Sequence, residues 1–131
     1  MSSEDIEIVR RGIEAYNGSD LDALLELSHP DICMVPVRAL LEGSEYRGHD
    51  GVRRFLADMD EDWAEREISA TEMRDLDGRV LVLGTFRAVG RASGTEVVQP
   101  VSWMAELRDG RLALLRAYTD QDAALRDAGS G

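Results

Sequence analysis

The sequence has one cysteine, two histidines, three prolines and a deficit of positive charge, and each scarcity excludes something. Cys33 has no partner within the chain, so there is no intrachain disulfide, and a lone cysteine in the apolar run "ICMVPV" reads as a small core residue. Two isolated histidines with one cysteine give no metal-ligand spacing, so no metal site is expected. Fifteen Lys+Arg against 26 Asp+Glu leave a net charge of −11, which repels phosphate-rich partners and argues against nucleic acid. No apolar stretch approaches the roughly 18 residues of a membrane span; "VLVL" at 80–83 is typical of the longest. The start, "MSSEDIEIVRR", is acidic where a signal peptide is basic, so the sequence reading is cytoplasmic.

The remainder is ordinary globular composition, 44% hydrophobic and 31% charged, over 131 residues, enough for one domain with its own core. We read a single domain over 1–128 and a flexible tail at 129–131. Ser2 three positions before Asp5, with Ile6, Val9, Ile13 and Tyr16 at helical spacing, predicts a helix over about 3–16. Asn17-Gly18 ends it, and Ser19 with Asp22 opens a second helix that stops near His29, ahead of Pro30. "ICMVPV" follows as a strand whose Pro36 suits an edge or bulge, and "RALLEGSEYRGHDG" as a loop. Asp50 is placed to cap a third helix whose apolar stripe runs Val52, Phe55, Leu56, Met59 and Trp63.

Beyond Glu67 the pattern becomes strands punctuated by turn signals: "EISATEMRDL", "DG", "RVLVLGTFRAVG", "ASGTE", "VVQPVSWMAEL", "RDG" and "RLALLRAYT". Strands joined so tightly pair antiparallel. Thr119 and Asp122 can box a short last helix. Three helices laid across a meander of about four long strands make an α+β domain with a concave face that can hold a small molecule.

The ordered segments "YNGSDLDALLELSHPDI", "YRGHDGVRRFL", "RVLVLGTFRAVGR" and "WMAELRDGRLALLRAYTDQDAAL" resemble the SnoaL-like branch of the nuclear-transport-factor-2-like superfamily, which includes ketosteroid isomerases and polyketide cyclases. The resemblance implies a cone-shaped barrel of curved antiparallel sheet, with three N-terminal helices on its concave face and a deep pocket. It also implies a homodimer, which here would pair through outward residues such as Leu83, Thr85, Val98, Met104 and Tyr118. The family's catalytic residues do not carry over. Ketosteroid isomerase uses an Asp base with a Tyr and a protonated Asp; the matching positions here are Pro36, Gly12 and Trp103. An epoxide hydrolase's Arg-x-Asp pair and closing-strand Asp fall at Gly84, Phe86 and Ala117.

Strand alternation in that register directs Gly84, Phe86, Gln99, Val101, Trp103, Ala105, Leu115, Ala117 and Thr119 toward the concavity. The candidate pocket is therefore Tyr16, Met34, Phe55, Met59, Trp63, Phe86, Gln99, Trp103 and Thr119, each open to the plainer reading of core packing. Trp103, Gln99 and Thr119 supply hydrogen-bonding groups but no proton transfer. His29 and Asp120 are the candidate acid–base residues. Against them, His-Pro-Asp also serves as a helix stop, and Asp120 as a helix cap. "DMDED" fails as a calcium loop because Trp63 and Ser69 stand where Gly and Glu are required. No dinucleotide fingerprint or nucleophile elbow is present, so no cofactor is expected. The expected function is binding of a small apolar molecule of polycyclic or terpenoid size, with isomerase, cyclase or hydrolase chemistry open. The alternative is a noncatalytic homodimeric module.

Overall fold

A computed structural model describes residues 3–36, 43, 45–118 and 121–130. Helix α1 (Ser3–Asn17) places Glu4 and Asp5 in its first turn, where negative charge offsets the helix dipole, and packs Ile6, Val9, Ile13 and Tyr16 into the core. Its last turn closes as Gly18 N–H bonds to the Glu14 carbonyl. The left-handed residue is Ser19, at φ 53°, rather than Asn17 or Gly18. Asp20 therefore caps α2 (Leu21–Leu27), one residue later than expected, and its Oδ1 accepts from Ala23 N–H at 3.1 Å.

Strand β1 (Ser28–Val35) begins four residues before the expected Ile32 and takes in His29, Pro30 and Asp31. Proline has no N–H for a ladder, and Pro30 sits where the pairing with β6 shifts register between Ser28 and Cys33. Within the expected loop, β2 (Tyr46–Arg47) pairs antiparallel with β1. Helix α3 (Gly48–Asp62) starts before Asp50, which instead binds Arg53 across one turn at 2.8 Å. Trp63, read as the end of the α3 stripe, is the first residue of β3 (Trp63–Asp75).

The chain continues through β4 (Arg79–Gly90), β5 (Glu96–Arg108) and β6 (Arg111–Tyr118) into α4 (Gln121–Ser130). Helix α4 includes Gly129 and Ser130, expected in a tail. Two hairpins turn on Asp-Gly pairs with positive φ at both residues: 61° and 93° at Asp77 and Gly78, 56° and 74° at Asp109 and Gly110. That handedness matches the twist of paired strands, so both turns were legible as "DG".

The six strands lie in the order β2-β1-β6-β5-β4-β3. β3 through β6 are antiparallel neighbours, but β1 runs parallel to β6, so the sheet is mixed rather than wholly antiparallel. Its terminal strands, β2 and β3, do not pair with each other, and the curved sheet is not closed into a barrel. The core lies between this sheet and α1 to α3, built on Val9, Tyr16, Leu24, Ile32, Val52, Phe55, Val80 and Leu112. The opposite face carries a second cluster: Leu81, Leu83 and Met104, buried against Ala124 of α4. Leu83 and Met104, read as free for a partner, are thus covered by the chain's own last helix. Among the described residues the exposed large hydrophobic is Val98, at 61%.

Candidate functional site

Every layer of the fold contributes to a cavity of about 90 Å³ between helices and sheet. Val9, Gly12, Ile13 and Tyr16 of α1 form one wall, with Leu24 of α2 and Phe55 of α3 beside them. Met34 of β1, Ile68 of β3 and Val82 of β4 continue the lining, and Trp103 and Ala105 of β5 with Leu112 and Leu115 of β6 complete it. Alternation explains the sheet contribution: Val82 is opposite Trp103, and Ala105 opposite Leu115, so these side chains share the concave face. Ile13, Ile68, Trp103 and Leu115 are only partly buried, so the cavity is not sealed from solvent.

None of the described lining residues is Asp, Glu, His, Cys, Lys or Arg. An apolar lining of this kind holds water poorly and favours a ligand that gives up little hydration. Its volume is smaller than the roughly 150 Å³ of an engineered apolar cavity that binds benzene, so the space as it stands suits a guest of no more than one ring. Phe55, Met34 and Trp103 line it, so a guest of the polycyclic size expected from the sequence would have to displace them.

The structure brings Tyr16, Met34, Phe55 and Trp103 together at the cavity. Met59 packs against the surrounding core, and Trp63 meets Phe86 edge-on with ring centroids 5.7 Å apart; none of these three lines the cavity. Gln99 is exposed on the same sheet face, opposite Phe86. Thr119 and Asp120 lie outside the described residues. His29 stands away from the lining. Its Nδ1 accepts from Asp31 N–H at 3.0 Å, its Nε2 is 3.7 Å from Asp109, and the Asp31 carboxylate does not orient it. Cys33, read as core, points to the other side of β1 from Met34 and donates to Glu45 at 2.7 Å. Burial, then Glu45, pushes its thiol up to about 11, so it is no nucleophile at neutral pH.

Two positions assigned by the isomerase resemblance, Gly12 and Trp103, do line the cavity, whereas Pro36 is buried just beyond β1 and does not. Sequence reasoning missed Val9, Gly12, Ile13, Leu24, Ile68, Val82 and Leu112. The i, i+4, i+7 spacing of Val9, Ile13 and Tyr16 identified a buried helix face, but nothing in it marked that face as facing a void.

Tyr16 is held by a polar cluster behind the cavity. Arg66, whose side chain is 5% exposed, stacks over the Tyr16 ring at 4.6 Å, donates to the Tyr16 carbonyl at 3.2 Å and to Ser19 Oγ at 2.9 Å, and pairs with Asp60 at 2.5 Å. Burial would raise the Asp60 carboxyl, but hydrogen bonds from Arg66 and Ser19 and the charges of Arg66 and Arg91 outweigh it and hold Asp60 below its ordinary value. Asn17 adds a two-point clip to Ile68, donating to its carbonyl at 3.0 Å and accepting its N–H at 2.9 Å. These bonds fasten the end of α1 to β3 and fix the Tyr16 ring as a wall.

Burial lifts the Tyr16 phenol from 10.0 to about 12, with Arg66 opposing the rise. Unfolded chain loses this proton near pH 10 while the native state keeps it to about 12, so this stabilisation is full below pH 10 and is lost as pH rises to 12. The loss across that window is about 2.5 kcal/mol. Urea midpoints followed by circular dichroism are expected to fall steeply over it in the wild type and less steeply in Tyr16→Phe; equal slopes would assign the alkaline loss to other groups, such as Tyr118, also raised to about 12.

A curved mixed sheet wrapped on three helices around an apolar cavity defines the nuclear-transport-factor-2-like class. The chain belongs to the SnoaL-like domain family within that class, whose profile matches residues 9–115. It is similar to an NTF2-like protein of unknown function from Burkholderia pseudomallei (24% identity over 94% of this chain and 95% of that one, TM-score 0.79). It is also similar to a Catenulispora acidiphila protein with a ketosteroid isomerase-like fold in complex with trimethylamine (19% identity, 94% and 92% covered, TM-score 0.77). A third is a Mycobacterium tuberculosis LEH-like epoxide hydrolase (22% identity, 98% and 92% covered, TM-score 0.75). At these identities the likeness concerns the fold. No curated protein matches the chain by sequence. No described helix is long and apolar enough to cross a membrane, and no described group of His, Cys, Asp or Glu could hold a metal ion.

Proposed function

We propose that the protein binds a compact, uncharged apolar molecule in this cavity. The carboxylate-free apolar lining is the observation that carries this reading. A cation or anion would shed its hydration with no opposite charge on the described lining to replace it. The trimethylamine held by the Catenulispora protein is also small, which agrees with the size if not with the charge. A reaction would require a proton carrier, and of the described lining only Tyr16 titrates; its raised pKa makes it a weak acid and no base at neutral pH. The isomerase, cyclase or hydrolase reading therefore rests on Asp120, two positions beyond β6 in sequence, since His29 is not among the lining residues. A homodimer through the outer sheet face would have to do without Leu83 and Met104, which are buried with Ala124 of α4.

Thermal denaturation with and without benzene tests the binding reading. A ligand held only by the native state raises stability by mass action, so saturating benzene is expected to raise Tm by several degrees. No rise with benzene would overturn it.

A further inference from the structure

Three glycines of the described chain are buried: Gly12, Gly51 and Gly84. Two have packing reasons. A Cβ on Gly51 would lie 2.7 Å from the Tyr46 backbone, and one on Gly84 would lie 2.2 Å from the Ser69 carbonyl, so both mark close backbone approaches. At Gly12 the approach is milder and involves no backbone outside its own helix. It does not take a positive φ, and beyond α1's own backbone an added Cβ would meet only Leu112 Cδ1, the tip of a side chain that would have to shift slightly, at 3.3 Å. Gly12 lies inside α1, between Val9 and Ile13, where glycine costs about 0.5–1 kcal/mol relative to alanine. What lies beyond its α-carbon is the cavity that it and Leu112 both line.

We propose that Gly12 is a specificity-determining residue: its missing side chain keeps open the part of the cavity between α1 and Leu112, and the ligand there packs against bare helix backbone. The fold bears a helix-breaking residue at a buried position because any side chain would occupy the ligand's space. This rests on the cavity being the ligand site and adds what sets its size. The ligands selected are flat or compact hydrocarbons thin enough to pass beside Leu112, and a methyl group at position 12 rejects them.

Benzene affinity measured by NMR titration in three proteins tests this. In Gly12→Ala, the fold is expected to be as stable as the wild type or more so, and the benzene Kd to rise tenfold or more, the penalty for one methyl misplaced in an apolar pocket. Adding Leu112→Val, which takes back the tip that the new Cβ presses, is expected to restore most of the affinity. An unchanged Kd in a folded Gly12→Ala protein would overturn the proposal, as would a lowered Tm, which would make Gly12 a packing residue, or failure of the double variant to recover binding. A wild type that takes up no benzene would overturn the site itself, a separate and visible failure.

Discussion

Phe55→Ala is expected to cost about 3–5 kcal/mol of stability, the loss typical of truncating a buried aromatic ring where neighbours cannot collapse. Phe55 is 4% exposed and meets two other rings, Tyr16 stacked at 5.8 Å and Tyr46 edge-on at 5.5 Å. Each such pair contributes about 0.5–1.5 kcal/mol beyond area burial. Collapse is impeded because the groups around the ring belong to separately anchored elements. Tyr16 is held through Arg66 to β3, and Tyr46 donates to Asp58 at 2.5 Å. The void would merge with the existing cavity, so the variant is expected to bind naphthalene, which the wild type excludes. Urea unfolding measures the first effect and a naphthalene titration the second. A loss below about 1 kcal/mol would mean that the walls close in, and then no gain in binding would follow.

Ala124→Asp is expected to change the assembly state. Ala124 is fully buried where α4 crosses Leu81, Leu83 and Met104. A carboxylate there has no cationic partner among the residues of that cluster, and leaving it unsolvated costs more than undocking a ten-residue helix. Undocking would expose three large apolar side chains, a surface of the kind that drives association. Sedimentation is expected to show a wild-type monomer at micromolar concentration and a self-associating variant. A wild-type dimer that the substitution leaves intact would place the interface elsewhere on the molecule.

The same cluster shows what strand alternation leaves open about the outer face. Alternation correctly separated Leu83, Met104 and Tyr118 from Trp103 and Ala117, because the strand period of two survives any tertiary context. What covers a face is a tertiary fact, and "DQDAALRD" gave only a short helix with no address. Element types were readable where local chemistry decides them: the α1 and α3 stripes, the two Asp-Gly hairpins and the long strands after Glu67. Boundaries slipped where packing overrode propensity. Ser28 pairs with Leu112 of β6 and draws His29, Pro30 and Asp31 into β1 across an irregular stretch, and Trp63 left the α3 stripe to begin β3. The cavity was half legible. Tyr16, Met34, Phe55 and Trp103 follow from helix and strand faces, whereas Phe86 and Trp63 found each other instead of the void. Gly12 was noted only as the place of a missing tyrosine; its own meaning needed the open space beside it.

The cavity between helices and sheet is expected to take a small apolar guest. A crystal pressurised with xenon, an uncharged atom that enters dry apolar cavities, examines that claim without any assumption about the natural ligand. The prediction is one xenon peak among Gly12, Tyr16, Phe55, Trp103 and Leu112. Xenon absent from this position, or bound only on the outer surface, would contradict it.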